Sequence, residues 1–458
     1  MQDINLKTIK KVHFIGIGGI GVSAIARMMM LEGKIVSGSD MSPNMVTAEL
    51  AKLGATIYDH HDAKHLPADA DLVIYTIAIS PSNPEFAKAE ELGIPMLTYP
   101  EALGQISRDK YTIAVAGTHG KTTTTAMIAK VFLDGGLDPT VVVGSFLKDP
   151  IRNNSDQKSL ISNGASSQSP KSSADDRPSN FIAGKGKYFI AEACEYRRSF
   201  LNLYPKILVI TNLEEDHLDY YKDLADIQLA FKELAERVPA DGYIVCNTAD
   251  PHLAPVLAEV KAKVIDYAKI NAEGLQLKFP GAHMVADAKA ALAVAEVIGV
   301  SPSTALRALN EFRGTWRRFD YQGQTANGVD VYDDYAHHPD EVRATILAAR
   351  EKTKGKVVVV FQPHLYSRTR DFLQQFGRSL SLADEVILLP IYAAREHDDG
   401  SINSQVLSQE INNQAGKSEA VADFALAAEK AKTMAGPEDI ILVMGAGDVV
   451  EVSKLLLA

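Results

Sequence analysis

Short apolar runs recur along this chain and alternate with helical stretches. In the first hundred or so residues the runs are KVHFIGIG, IVSGSD and DLVIYTIAI, with a helix expected from about Val22. That rhythm predicts βαβ units and a parallel sheet. A second series opens at YTIAVAG and continues through GKYFIAEA, ILVITN and GYIVCN, with helices between. A third follows EFRGTWRRFD and holds VDVYDDY, KVVVVFQ, EVILLPI and DIILVMGAG. The reading is an α/β protein of three domains, residues 1–107, 108–311 and 312–458, hinged near 107 and 311. Residues 149–180 are Ser-, Asn- and Pro-rich with almost nothing to bury, and are expected to form a mobile surface insertion in the second domain.

Length agrees with this division, since 458 residues at about 150 per domain is three domains. A hydrophobic share of 46% with 23% charged residues describes an ordinary globular chain. The net charge of −11 gives no support to nucleic-acid or anionic-membrane binding. The opening MQDINLKTIKKVHFIGIGG breaks into glycines and reads as a first strand, not a signal. No apolar stretch reaches the roughly 18 residues of a membrane span, so no membrane partner is expected and the cytoplasm is. Cys194 and Cys246 are too few for a disulfide scaffold or a zinc site.

Two glycine-rich loops carry candidate chemistry. GIGGIG sets Gly16, Gly18 and Gly21 in G-x-G-x-x-G spacing after a strand and before a helix, where backbone N–H groups can approach phosphate oxygens. Asp40, closing VSGSD, stands where an acid could hold a ribose hydroxyl. The second loop, AVAGTHGKTTTT, lacks the first glycine of the usual phosphate-loop pattern, because Val115 stands there. Its strand, loop and helix context is nevertheless the one a phosphate loop demands, in a shorter G-T-x-G-K-T form. Gly117, Thr118, Gly120, Lys121, Thr122 and Thr123 are expected to hold nucleotide phosphates, with Lys121 neutralising charge and the Thr122 hydroxyl on Mg²⁺.

Beyond these loops, Glu192 and His217 follow apolar strands and suit an ATP–Mg²⁺ site, since Mg²⁺ takes hard oxygen ligands beside phosphates. Glu195, Glu214 and Glu215 read more simply as solvated charges. In the third region Arg317, Asp334, His337, His338, His364 and Arg368 gather, and arginines suit a planar grip on phosphate or carboxylate. Arg318 and Arg370 read as surface ion pairs. His337 and His338 are adjacent on extended chain and point opposite ways, which makes a poor zinc chelate.

GTHGKTTTT, TNLEEDH, RRFD and DDYAHHP, in that order over nearly the whole chain, resemble the motifs of the Mur ligases, ATP-dependent amino-acid-adding enzymes of peptidoglycan synthesis. HFIGIGGIGVSAIA with GSD, QPHLYSRT and MGAGD are similar to the branch that adds L-alanine to UDP-N-acetylmuramate. The resemblance implies a Rossmann-like N-terminal domain for the UDP-sugar, a central P-loop ATPase-type parallel sheet and a C-terminal Rossmann-like domain. It implies that ATP phosphorylates the muramoyl carboxylate and that the alanine amine displaces phosphate. By motif it places the diphosphate on Gly18, Gly19 and Gly21, substrate at Asp40 and His119, and metal on Thr122, Glu192 and His217. It implies that Lys121, His217, His337 and Arg368 carry catalysis, that His283 and Asp334 meet the nucleoside, and that Arg317 reaches its phosphates on closure.

This chain also departs from the family pattern. EACEYRR stands where Glu-Ala-Asp-Glu is common, and Met284 and Asp287 stand where Asn is usual in the His-Asn-x-x-Asn stretch. Lys232 is the residue to compare with the carbamylated lysine of some relatives. Three other readings compete: a recycling ligase that attaches a preformed peptide, a silent ATP-binding sensor, and a dehydrogenase that leaves the second loop unexplained. The oligomeric state, monomer or dimer, is open.

Overall fold

The apolar runs become strands because they are buried on both faces, as the central strands of parallel sheets are. A computed structural model describes residues 4–42, 44–148, 179–394 and 396–458. They divide into two compact units. The first comprises Met1–Leu213, Gln228–Gly274 and Lys289–Leu309, and the second Glu214–Ile227, Leu275–Ala288 and Asn310–Ala458.

The first unit contains two sheets. One is built from β1 (Lys11–Ile15), β2 (Ile35–Ser39), β3 (Thr56–Tyr58), β4 (Leu72–Tyr75) and β5 (Met96–Thr98). Their order is β3-β2-β1-β4-β5 and every neighbouring pair is parallel. Connections run to opposite sides of β1, so a crevice opens beyond its carboxyl end, where ligands bind in open α/β sheets. The GIGGIG loop leaves β1 at that point and enters the helix Ile20–Leu31.

The other sheet holds β6 (Tyr111–Ala116), β7 (Thr140–Leu147), β8 (Ser179–Ile182), β9 (Tyr188–Glu192), β10 (Ile207–Ile210), β11 (Tyr243–Cys246) and β12 (Lys263–Asp266). The order is β12-β11-β10-β6-β9-β7-β8, with only the β7–β8 pair antiparallel. Central β6 is flanked by β9 and β10, so all three carboxyl ends crowd around the second glycine loop. The second unit has β13 (Asp320–Gln324), β14 (Asp330–Asp334), β15 (Val357–Phe361), β16 (Glu385–Leu388), β17 (Ser418–Ala420) and β18 (Ile440–Met444), ordered β13-β14-β18-β15-β16-β17. Only β13 and β14 pair antiparallel there.

Each strand named from the apolar pattern is present, and the helix expected from about Val22 begins at Ile20. Missed strands such as β3, β13 and β17 are short or polar pieces at sheet edges and are incompletely buried. One boundary is corrected: Ser179 and Asn180, read as the end of the polar insertion, belong to β8. Asn180 is fully buried, and its Nδ2 donates to the Ile20 carbonyl and to Ser23 Oγ. The rest of 149–180 lies outside the described residues.

The first sheet is pinned by a buried polar network. Glu85 opens the helix Pro84–Leu92 and sends its carboxylate into the core, where both it and His13 are fully buried. Glu85 Oε2 lies 3.1 Å from His13 Nε2 and accepts from Ser39 Oγ at 2.6 Å, while Oε1 accepts from the Asp62 N–H at 3.2 Å. Removing the carboxylate strands these partners in a dry interior, and each unsatisfied buried group costs about 1–3 kcal/mol. Glu85→Ala is therefore expected to lower the melting temperature strongly, with Glu85→Gln intermediate, by differential scanning calorimetry; an unchanged melting temperature for both would contradict the assignment.

Candidate active site

The second glycine loop is held by backbone geometry that only its sequence permits. Gly117 has φ +136°, and a Cβ there would fall 2.0 Å from Thr211 Oγ1. Gly120, at φ +79°, caps the helix Lys121–Asp134. Residues after β10 brace the loop between them. The Thr118 N–H donates to the Asn212 carbonyl (3.2 Å) and the His119 N–H to Asn212 Oδ1 (2.9 Å). The His119 carbonyl accepts from Thr211 Oγ1 (2.5 Å) and Asn212 Nδ2 (3.1 Å). The result is a rigid turn that ends on a helix N-terminus, whose free N–H groups and dipole favour an anion.

Two side chains leave the first turn of that helix toward acids. Lys121 Nζ donates to the Gly117 and Thr118 carbonyls at 2.6 and 2.9 Å and pairs with Glu195 at 3.0 Å. Burial favours the neutral amine, but the charge of Glu195 outweighs it, so the lysine pKa is raised and the ammonium is retained. Thr122 Oγ1 lies 3.0 Å from both oxygens of Glu192, at the end of β9, and the Gly144 N–H donates to Glu192 Oε2 at 2.7 Å. A hydroxyl and a carboxylate on hard oxygens fit Mg²⁺. Thr118 and Thr123 are buried beside them. The expectation that Glu195 is a solvated charge is corrected: it is 4% exposed and holds Lys121. No spacing rule marks it, because its partner is 74 positions away.

At the first glycine loop each glycine meets a different neighbour. Gly16 sits at φ +81°, a Cβ on Gly18 would lie 2.8 Å from Asp40 Oδ2, and one on Gly21 would lie 2.5 Å from the Tyr99 ring. Gly19 caps the helix Ile20–Leu31 without a side-chain bond. Asp40, expected on a ribose, braces the loop itself: Oδ2 accepts from the Gly18 N–H (2.8 Å) and Oδ1 from the Ser42 N–H (2.9 Å).

In the second unit the expected residues group around two buried ion pairs. Arg368 Nη2 donates to Asp216 Oδ1 at 2.8 Å, with both residues buried. Burial raises the Asp216 pKa, but Arg368 and then His217 overcome it, so the carboxyl is held well below the usual range. His217 adopts a left-handed φ of +54°, strained for a residue with a Cβ, and its N–H donates to Asp216 Oδ1 at 2.6 Å. His337 Nδ1 lies 3.0 Å from the Tyr335 carbonyl, while His338 Nε2 lies 3.1 Å from the Glu215 carbonyl, so the adjacent imidazoles serve different partners.

Arg317, expected to reach nucleotide phosphates on closure, is held by its own unit. Its Nε donates to Asp333 (3.1 Å), Nη1 to the Gly447 carbonyl (3.0 Å) and Nη2 to the Gly445 carbonyl (2.6 Å). At 3% exposure it ties β14 to the MGAGD loop. Burial pushes the Asp333 carboxyl up to about 6 despite this pairing. Asp334 accepts from the Phe319 and Ala336 N–H groups at 2.6 and 2.8 Å. His283 is exposed on the first turn of the helix Ala282–Ile298, whereas Met284 and Asp287 are buried. Arg318 pairs loosely with Glu341 (3.8 Å) and exposed Arg370 with Asp371 (3.1 Å), as surface pairing implies. Lys232 pairs with Glu259 at 2.8 Å, which raises its pKa and opposes the neutral amine that carbamylation needs.

Comparisons with known proteins cover the whole chain. Residues 11–111 match the model described as Mur ligase family, catalytic domain; 115–290 match Mur ligase middle domain; 317–447 match Mur ligase, glutamate ligase domain. The chain is 38% identical over 475 residues to the UDP-N-acetylmuramate–L-alanine ligase of Clostridium kluyveri, covering 98% of each. It is 39% identical over 479 residues to the enzyme of that name from Alkaliphilus metalliredigens, covering 98% of this chain and 97% of the other. Among solved structures, the UDP-N-acetylmuramate–alanine ligase of Thermotoga maritima aligns with a TM-score of 0.76 at 29% identity, over 97% of both chains. A murein peptide ligase from Psychrobacter arcticus aligns with a TM-score of 0.66 at 26% identity, over 98% of both.

The Asp216–Arg368 pair makes a pH-dependent prediction. A carboxyl whose folded pKa is depressed stabilises the protein above its unfolded pKa, and that contribution is lost as pH falls. Breaking a buried pair costs about 3–5 kcal/mol. Arg368→Ala is expected to lose about that much stability at neutral pH, with the deficit shrinking below pH ~4. Calorimetry of both proteins between pH 2 and 8 checks it; a deficit independent of pH would refute the pairing as its source.

Proposed function

This chain belongs to the Mur ligase family, and we propose on that premise that it joins L-alanine to the carboxylate of UDP-N-acetylmuramate at the expense of ATP, yielding UDP-N-acetylmuramoyl-L-alanine, ADP and phosphate. The observation that carries an ATP-driven reaction is the convergence of Lys121, Thr122 and Glu192 at a braced helix N-terminus. The choice of acceptor rests on the full-length similarity to L-alanine ligases.

In this reading a muramoyl carboxylate oxygen attacks the γ-phosphorus of ATP and the bond to the bridging oxygen breaks, releasing ADP. The alanine nitrogen then attacks the acyl carbon of the acyl phosphate. A tetrahedral intermediate collapses with loss of phosphate and of an amine proton. A carboxylate is a poor electrophile until so activated, and the transferring phosphoryl group needs cations around it. Lys121 supplies one, presented by the carbonyls and acid that hold it. Thr122 and Glu192 would hold Mg²⁺, with His217 beside a second, and the ion would offset phosphate charge as transfer proceeds. His119 and the first glycine loop serve the UDP-sugar, His283 and Asp334 the nucleoside, and His337 and Arg368 the amino-acid end.

Domain edges near 107 and 311 fit this division of labour, each falling at or beside a helix end, Tyr99–Arg108 and Pro302–Glu311. No helix among the described residues is long and apolar enough to cross a membrane. A cytoplasmic enzyme drawing on the ATP pool is the setting this reaction requires.

The test is ATP-dependent phosphate release in the presence of UDP-N-acetylmuramate, with L-alanine, glycine, D-glutamate or an L-Ala-γ-D-Glu-led tripeptide added in turn. Release that requires L-alanine is the expected result; dependence on the tripeptide would move the enzyme to peptide recycling, and silence with all four would favour a sensor. Lys121→Ala is expected to abolish release while leaving UDP-N-acetylmuramate binding nearly intact by calorimetric titration. Simultaneous loss of both would contradict separate nucleotide and sugar sites.

A further inference from the structure

Tyr99 belongs to none of the motifs above, yet its ring closes the first glycine loop. It begins the helix Tyr99–Arg108, whose start is fixed by a reciprocal capping box. Glu101 Oε2 accepts from the Thr98 N–H (2.8 Å) and Oγ1 (2.7 Å), and the Glu101 N–H donates back to Thr98 Oγ1 at 3.3 Å. The far side of the helix is equally constrained, because a Cβ on Gly104 would fall 2.4 Å from the Asn202 carbonyl oxygen. The ring is thus delivered on a rigid support.

It is delivered onto Gly21. A Cβ there would come within 2.5 Å of Tyr99 Cζ and 2.7 Å of its hydroxyl, so the glycine is the seat of the phenol. The hydroxyl end, not merely the ring, therefore lies over the first turn of the helix Ile20–Leu31, where anionic oxygens are favoured. The hydroxyl makes no hydrogen bond with any described residue. Burial and then the charge of Glu192 raise its pKa, so the phenol stays protonated and offers a donor. Glu192 is the carboxylate that Thr122 and Gly144 hold at the phosphate loop, so the phenol stands within electrostatic reach of both loops.

We propose that the Tyr99 hydroxyl donates a hydrogen bond to an anionic oxygen of bound UDP-N-acetylmuramate, in the stretch between its diphosphate and its reacting carboxylate. This rests on the ligase reading above. Two oxygens of the same chemistry qualify, one on the diphosphate and one on the lactyl carboxylate. Tyr99→Phe separates contact from packing, since the ring keeps its seat on Gly21.

The experiment is calorimetric titration of wild-type and Tyr99→Phe full-length protein with UDP-N-acetylmuramate and with UDP-N-acetylglucosamine, which lacks the lactyl carboxylate, together with steady-state kinetics. A hydrogen bond to a charged acceptor is worth about 10- to 100-fold in affinity. The variant is expected to lose that factor for UDP-N-acetylmuramate in both Kd and KM, with KM for ATP unchanged. Loss restricted to UDP-N-acetylmuramate assigns the carboxylate, and equal loss for both ligands assigns the diphosphate. Unchanged affinity for both overturns the proposal. Gly21→Ala, whose methyl displaces the phenol, is a second variant expected to weaken UDP-N-acetylmuramate binding. Wild-type protein that neither binds nor turns over UDP-N-acetylmuramate would instead refute the ligase reading, a result distinct from a silent Tyr99→Phe.

Discussion

The larger unit depends on one constraint: the chain must turn out of β6 and into a helix with no side chain on the inside of the turn. Gly117 meets it with a φ of +136° and a backbone pressed against Thr211. Once that turn is made, its carbonyls face Lys121, and the helix N-terminus faces the space beyond the strand ends. The neighbouring strands complete the arrangement, β10 through Thr211 and Asn212, and β9 through Glu192. A parallel order with β6 between them makes those contributions simultaneous. The sheet topology is thereby part of the chemistry.

Charge is managed locally around that frame. Each buried or half-buried cation named in the described sites has an acid beside it: Lys121 with Glu195, Arg317 with Asp333, Arg368 with Asp216. An isolated buried charge would be far costlier than any of these pairs is favourable. The pairs differ in balance, though. Asp216 is driven below the usual carboxylate range, while burial wins at Asp333 and lifts it to about 6. Arg317 therefore works chiefly as a tie between β14 and the Gly445–Gly447 backbone, with two of its three interactions made to carbonyls.

What was legible in the sequence follows from range. Long apolar strands such as β15 and β18 announce themselves because both their faces are buried. The phosphate loop is legible because its function needs contiguous residues. Edge strands such as β3 and β17 carry no such signal, since they are three residues long and only partly buried. Glu195 was misjudged for a different reason. A charged residue reads as exposed until its partner is known, and that partner lies 74 positions away.

The G-x-G-x-x-G loop shows how far such a motif can be trusted. Its spacing correctly places a turn between a strand and a helix, yet it says nothing about which atoms need the missing Cβ. Gly16 takes a left-handed turn, Gly18 makes room for the Asp40 carboxylate that braces the loop, and Gly21 makes room for an aromatic ring from another helix. All three absences are filled by the protein itself, since a Cβ on Gly16 would also fall 2.5 Å from Thr76 Cγ2. A glycine fingerprint is thus a statement about close approach, and the approaching group has to be found in three dimensions before a ligand is assigned to it. Here the group at Gly21 carries a hydroxyl without a partner among the described residues, which turns a packing requirement into a recognition element for the substrate.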